Sequence, residues 1–179
     1  ERPRLVQDRH SGIARGIEAL RERANDDKRG MRVGVVGLGA GVLAAWGRAG
    51  DYYHFYEINP QVIDLAQSEF TYLRDSKAAV AMSLGDARLS LEREEPHHFD
   101  ILVVDAFSSD SIPVHLITRE AMAVYLKHLK PGGTALLLVK PQFELQPEHI
   151  GKGGIVKDDA SHAIVETRIV GVMQKIIGS

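Results

Sequence analysis

Apolar positions recur at spacings of four and three in Ile13, Ile17 and Leu20, which predicts an opening helix with Ser11 as its N-cap. Residues 1–30 therefore read as a helical lead-in that ends in the polar break ANDDKRG. The pattern then changes. RVGVVGLG is a short β-branched run that ends in glycines, as in a parallel strand buried on both faces, and it predicts strand one over Arg32 to Gly37. Similar runs follow at YYHFYEI, AVAMSLG, DILVVDAF and GTALLLVK, with helical patterns between most of them.

Asn59 before Pro60 predicts a helix start, with Val62, Ile63 and Ala66 on the inner face. A later helix runs from Thr118 to Lys130, and LKPGG supplies its end and a turn into strand five. Asp158 or Asp159 caps a last helix whose inward face takes Ile164, Val165, Ile169, Val172 and Ile176. Strands alternating with helices of this length require right-handed crossovers. The predicted architecture is α/β, a doubly wound, mainly parallel Rossmann-like sheet in a single domain over residues 1–179.

Composition narrows the function classes. With 22 basic and 24 acidic side chains the net charge is -2, so no general attraction to phosphate backbones or anionic lipid arises. Cysteine is absent, which removes disulfides and thiolate metal sites. No run is long and apolar enough for a membrane span, and ERPRLVQDRH lacks the apolar core of a signal peptide, so a cytoplasmic chain without a membrane partner is expected.

In a doubly wound sheet the ligand lies at the carboxyl ends of the strands, where strand order reverses. Strand one runs into Gly37-Leu38-Gly39-Ala40-Gly41, where missing Cβ atoms permit a tight turn and close ligand approach, and a helix is expected to follow directly. Glu57 and Ile58 end strand two, and a carboxylate there can accept hydrogen bonds from both hydroxyls of a ribose. Gly85 and Asp86 end strand three, where a carboxylate or backbone group can pair with an adenine edge. Each has a plainer reading: a tight turn, a solvated charge, and a cap for the helix in ARLSLERE. Their conjunction points to a nucleoside pocket. A dinucleotide fingerprint calls for glycine or alanine three residues beyond Gly39, but Val42 stands there. The G-x-G-x-G form is instead the pattern of S-adenosylmethionine enzymes.

Through VVGLGAG, FYEINPQV, LGDARLSL and VVDAFSSDSIPVHLITREA, residues 10–138 resemble the spermidine synthase-like family. The resemblance implies the class I methyltransferase fold, S-adenosylmethionine or its decarboxylated form as cofactor, and aminopropyl or methyl transfer to an amine acceptor. It places Asp105 at the family's catalytic acidic position, with Asp110 as a second candidate for orienting the amine or as a turn residue before Ile112-Pro113. Ser108 and Ser109 read as loop caps beside them. Those synthases carry an amino-terminal β domain, and no counterpart to it is expected within these residues.

From Val139 the pattern shifts. VKPQFELQPEHIGKGG resembles the hemolysin-like ribosomal RNA 2'-O-methyltransferases, which implies Lys140 as a catalytic lysine, RNA as acceptor and Asp105 as its acidic partner. Five basic residues face five acids over residues 139–179, which gives RNA little electrostatic pull. The shift predicts a composite chain, in one reading an engineered, catalytically inactive scaffold. The sheet is expected to stop after strand five and its helix, which leaves an edge open to homodimerisation. His97-His98 reads as a solvated pair, and no metal site is expected. GKGG lacks the spacing and hydroxyl of a phosphate-binding loop.

Overall fold

In the computed structural model, which describes residues 12–24, 29–106, 113–137, 145–146, 149–151, 156 and 158–177, the strand runs assemble into one parallel sheet of five strands. α1 (Gly12–Ala24) precedes β1 (Arg32–Val36), β2 (Tyr52–Glu57), α2 (Pro60–Ser68), β3 (Ala79–Leu84), α3 (Ala87–Arg93), β4 (Phe99–Val104), α4 (Arg119–His128) and β5 (Leu129–Leu137). The chain divides into two compact units, Glu1–Leu137 with the sheet and Leu138–Ser179 with the helix α5 (Asp159–Ile177).

Strand order is β3-β2-β1-β4-β5, so the winding reverses at β1. Register decides what meets at that point. Val36 pairs with both Tyr56 and Val104, and Glu57 pairs with Leu84, so the next residues of β1, β3 and β4 and the last of β2 share one rim. Backbone hydrogen bonds continue past the strands. Gly37 N donates to Tyr56 O at 2.9 Å, Asp105 N to Val36 O at 2.9 Å and Gly85 N to Glu57 O at 2.8 Å.

Alternation along the strands sorts side chains between two layers. Val33, Val35, Tyr53, Phe55, Ile101 and Val103 form one core face, joined by Ile17 of α1 and Ala66 of α2, with Val62 and Ile63 half-buried against it. On the other face Gly34 admits Phe99 and Leu102, since a Cβ at Gly34 would lie 2.7 Å from each. Every residue of β4 is buried, and each large apolar side chain so placed contributes about 1.5–3 kcal/mol.

Charged groups brace the opposite rim. Asp51 accepts from Met31 N at 2.9 Å and Arg48 N at 2.8 Å and pairs with Arg21 at 2.9 Å. Asp100 accepts from Arg32 N at 2.7 Å and pairs with Arg29 at 2.6 Å and with Lys130. Burial by itself raises both carboxyls, but their donors outweigh it and hold each below the ordinary value.

Caps follow the sequence. Asn59 accepts from Gln61 N with Pro60 at the first helical position, and Thr118 accepts from Ala121 N at 3.2 Å. Ser11 lies outside the described residues. Three expectations are corrected. The helix after the glycine turn is only a 3-10 turn, Val42–Trp46, because Gly47 closes it with an N–H bond to Ala44 O at 3.1 Å. α4 stops at His128, not Lys130, and LKPGG lies within β5 as a break between the Phe99–Leu129 and Ile101–Thr134 pairs, where Gly132 takes φ +76°. On α5 the buried stripe runs through Ser161 and Val165 to half-buried Ile169, four residues apart, which leaves Ile164 off the stripe and 52% exposed. The side chains of Val172 and Ile176 lie outside the described residues. No helix among the described residues is long and apolar enough to cross a membrane.

Candidate functional site

The shared rim opens into a cleft of about 570 Å³ lined by Gly37, Leu38, Gly39, Glu57, Ile58, Gly85, Asp86, Asp105 and neighbouring residues of the first unit. Its floor is the glycine turn. Gly37 takes φ +97°, and a Cβ there would sit 2.4 Å from the carbonyl oxygen of Asp105, so only glycine lets β1 pass this close to β4. Gly39, at φ +53°, has nothing within 4 Å of where its Cβ would stand, which leaves the space above it open. Gly41 is not among the lining residues. It caps the 3-10 turn at φ +77°, and a Cβ there would press on Leu73 at 2.9 Å.

Among the described residues, Glu57 is held by backbone N–H groups. Its Oε2 accepts from Leu38 N at 3.0 Å and its Oε1 from Asn59 N at 2.9 Å. One donor belongs to the glycine turn and the other to the N-cap of α2. Each carboxylate oxygen keeps acceptor capacity, so a pair of hydroxyls can still be received. Ile58, 66% exposed, presents an apolar face at the same mouth.

Asp86 takes the plainer of its two readings, a helix cap, and keeps its second oxygen at the cleft. Oδ1 caps α3 by accepting from Leu89 N at 2.9 Å, while Oδ2 lies 2.9 Å from Nε2 of His115. His115 had no role in the sequence reading, although it stands inside the quoted run VHLITREA. Twenty-nine positions separate the two residues. Only the fold brings them together, and no local pattern announces the pair. The N–H donors that hold Glu57 were equally invisible, since backbone groups carry no sequence signal.

Asp105 reaches the cleft from the end of β4. Asp110, Ser108, Ser109 and Lys140 lie outside the described residues. Among the described residues, the cleft brings together seven of the predicted positions, Gly37, Gly39, Glu57, Ile58, Gly85, Asp86 and Asp105.

Behind Tyr56, which also lines the cleft, lies a polar cluster. The Tyr56 hydroxyl donates to Glu94 Oε2 at 2.7 Å, and His97 Nε2 is 2.7 Å from the same oxygen. His97 stacks on Phe99 and lies against His54 and His128, which overturns its reading as a solvated residue. His98 is exposed, as read. Phe99 gives His97 an aromatic surface that water does not offer. Burial and the neighbouring His97 push the His54 imidazole below its ordinary value, and burial does the same to His128. Burial and the bond to Glu94 push the Tyr56 hydroxyl up. The Glu94 carboxyl, which burial raises, is held low by its bonds from Tyr56 and His97.

No protein-family model matches the chain. A polyamine aminopropyltransferase of Vibrio vulnificus is 33% identical over 107 residues, which is 57% of this chain and 35% of that protein. YqxC, a Bacillus subtilis protein provisionally named an rRNA methyltransferase, is 50% identical over 42 residues, 24% of this chain and 15% of its own length. The chain thus spans well under half of either relative. Among solved structures, human methyltransferase-like protein 13 in complex with SAH superposes with a TM-score of 0.56 at 18% identity, over 67% of this chain and 59% of that one. Strand order, winding and this superposition agree, and the chain carries the class I fold of the S-adenosylmethionine-dependent methyltransferases.

Proposed function

We propose that the cleft binds the nucleoside of S-adenosylmethionine or its decarboxylated form, and that the chain belongs to a transferase moving an aminopropyl or methyl group to an amine. The observation that carries this reading is Glu57, whose two oxygens are held by Leu38 N and Asn59 N beside the glycine turn. A carboxylate aligned before binding loses little freedom when it receives a ribose diol. Asp86 and Gly85 stand on the adenine side, and Ile58 covers the base.

In transfer, the amine lone pair attacks the carbon beside the sulfonium. The carbon–sulfur bond breaks, its electrons return to sulfur as a thioether, and the amine proton passes to a carboxylate. Asp105 takes that proton or anchors the ammonium before attack. Asp110 orients the amine. The reading is supported by the aminopropyltransferase relative, which shares 33% identity over 107 residues.

Calorimetry with S-adenosylmethionine, its decarboxylated form and methylthioadenosine tests it. Binding of at least one, lost in Glu57→Ala, is the expected result. Absence of heat with all three overturns the nucleoside reading, and binding without transfer to any polyamine overturns the catalytic part. A second reading, 2'-O-methylation of ribosomal RNA with Lys140 in a catalytic role, draws on the 42-residue likeness to YqxC. Methyl transfer to RNA that Lys140→Ala abolishes selects it over the first.

A further inference from the structure

His54, Glu94 and His97 each offer one ligand atom, and these atoms lie within 4.8 Å of one another. We propose that the three side chains form a zinc site, separate from the nucleoside cleft and divided from it by Tyr56. Two imidazoles and a carboxylate make an N2O donor set that suits zinc and other borderline divalent cations, and not magnesium or calcium, which take oxygen ligands.

A hydrogen-bonded network alone accounts poorly for His54. Ser83 Oγ holds its Nε2 at 2.9 Å, whereas among the described residues Nδ1 has only the hydroxyls of Tyr52 and Tyr56, at 3.4 and 3.5 Å. These contacts exceed the usual hydrogen-bond range, and His54 is 8% exposed, so a buried ring nitrogen beside the cluster is poorly satisfied. Ser83 fixes the ring so that Nδ1 faces inward, in the way that metal-bound histidines are oriented through their second nitrogen. Phe99 and His128 hold the His97 ring on either side.

Bonds of about 2.0–2.1 Å in a tetrahedron set ligand atoms about 3.4 Å apart. His97 and Glu94, now 2.7 Å apart through a shared proton, separate by roughly 0.7 Å as the ion replaces that proton. The other ligand-atom pairs, up to 4.8 Å apart, close by as much as about 1.4 Å, which calls for small side-chain movements of His97 as well as Glu94. The His97 and Glu94 side chains are 20% and 30% exposed, so the ion has a way in, and water completes the fourth position.

The test is titration of the full chain, stripped with chelator, with zinc chloride. One ion per chain is expected, with binding at least tenfold weaker in Glu94→Gln and in His97→Gln and unchanged in His162→Gln, a substitution on the second unit. Magnesium chloride should not compete. Because a substituted cluster can impair folding, diethylpyrocarbonate footprinting of the unmodified chain supplies an independent readout. Zinc should protect His97 while its exposed neighbour His98 stays reactive. Absence of zinc uptake, uptake that leaves His97 as reactive as before, or equal binding by folded Glu94→Gln and His97→Gln variants overturns the proposal.

Discussion

Alanine at Gly37 and alanine at Gly39 are the same chemical change two residues apart, yet the structure gives them different consequences. At Gly37 the new methyl would stand 2.4 Å from Asp105 O and 3.0 Å from Asp105 C, at a backbone φ of +97°. Left-handed backbone costs an L-residue about 1–2 kcal/mol and overpacking costs about 1–3 kcal/mol, so Gly37→Ala should lose roughly 2–5 kcal/mol. In a domain of this size that lowers Tm by about 4–20 °C. At Gly39, φ is +53° and the methyl meets nothing within 4 Å, so only the backbone term of about 1–2 kcal/mol remains. That open space is the cleft itself. The methyl at Gly39 should therefore obstruct the nucleoside and weaken its binding about 5- to 150-fold, an overpacking loss of about 1–3 kcal/mol moved onto the ligand. Urea unfolding measures the first quantity and calorimetry the second. Equal stabilities for the two variants would refute the strand-crossing argument, and wild-type affinity in Gly39→Ala would place the ligand elsewhere.

Glu57→Gln should cost about 1–3 kcal/mol of stability, because an amide nitrogen must face one of the two N–H donors, and should weaken the nucleoside by at least tenfold. Denaturant midpoints and calorimetry on the same sample separate the two effects, and an unchanged affinity would remove Glu57 from the ribose role. Acid should unfold the chain through Asp51 and Asp100. Both carboxyls are held below their ordinary value, so their contribution is fully present above the unfolded value near 3.8 and disappears as pH falls through the lower folded values. The two carboxyls should add a steep fall below about pH 4 to the earlier, gentler loss that begins below about pH 7, where the unfolded chain protonates His54 and His128 and the folded one holds them neutral. The slope should be shallower in a folded Asp51→Asn variant, and an identical slope would count against the assignment.

The local chemistry of the fold was legible in the sequence. Buried β-branched runs, Asn59 before Pro60, and glycines where β1 must turn all follow from the side chains themselves, and the structure places them as read. So was the rim. Gly37, Glu57, Asp86 and Asp105 stand at strand ends, and a doubly wound parallel sheet puts strand ends on one side. What sequence left undecided depends on partners far along the chain. His97 looked solvated because nothing near it in sequence reveals that His54 and His128 lie against it. The His115 contact with Asp86 and the Leu38 N bond to Glu57 exist only once β1, β2, the end of β3 and the segment before α4 converge. Periodicity encodes which face of an element is apolar, since that is a property of neighbouring residues. Distances between polar atoms from separate elements are set by register and winding, and those only the folded sheet decides.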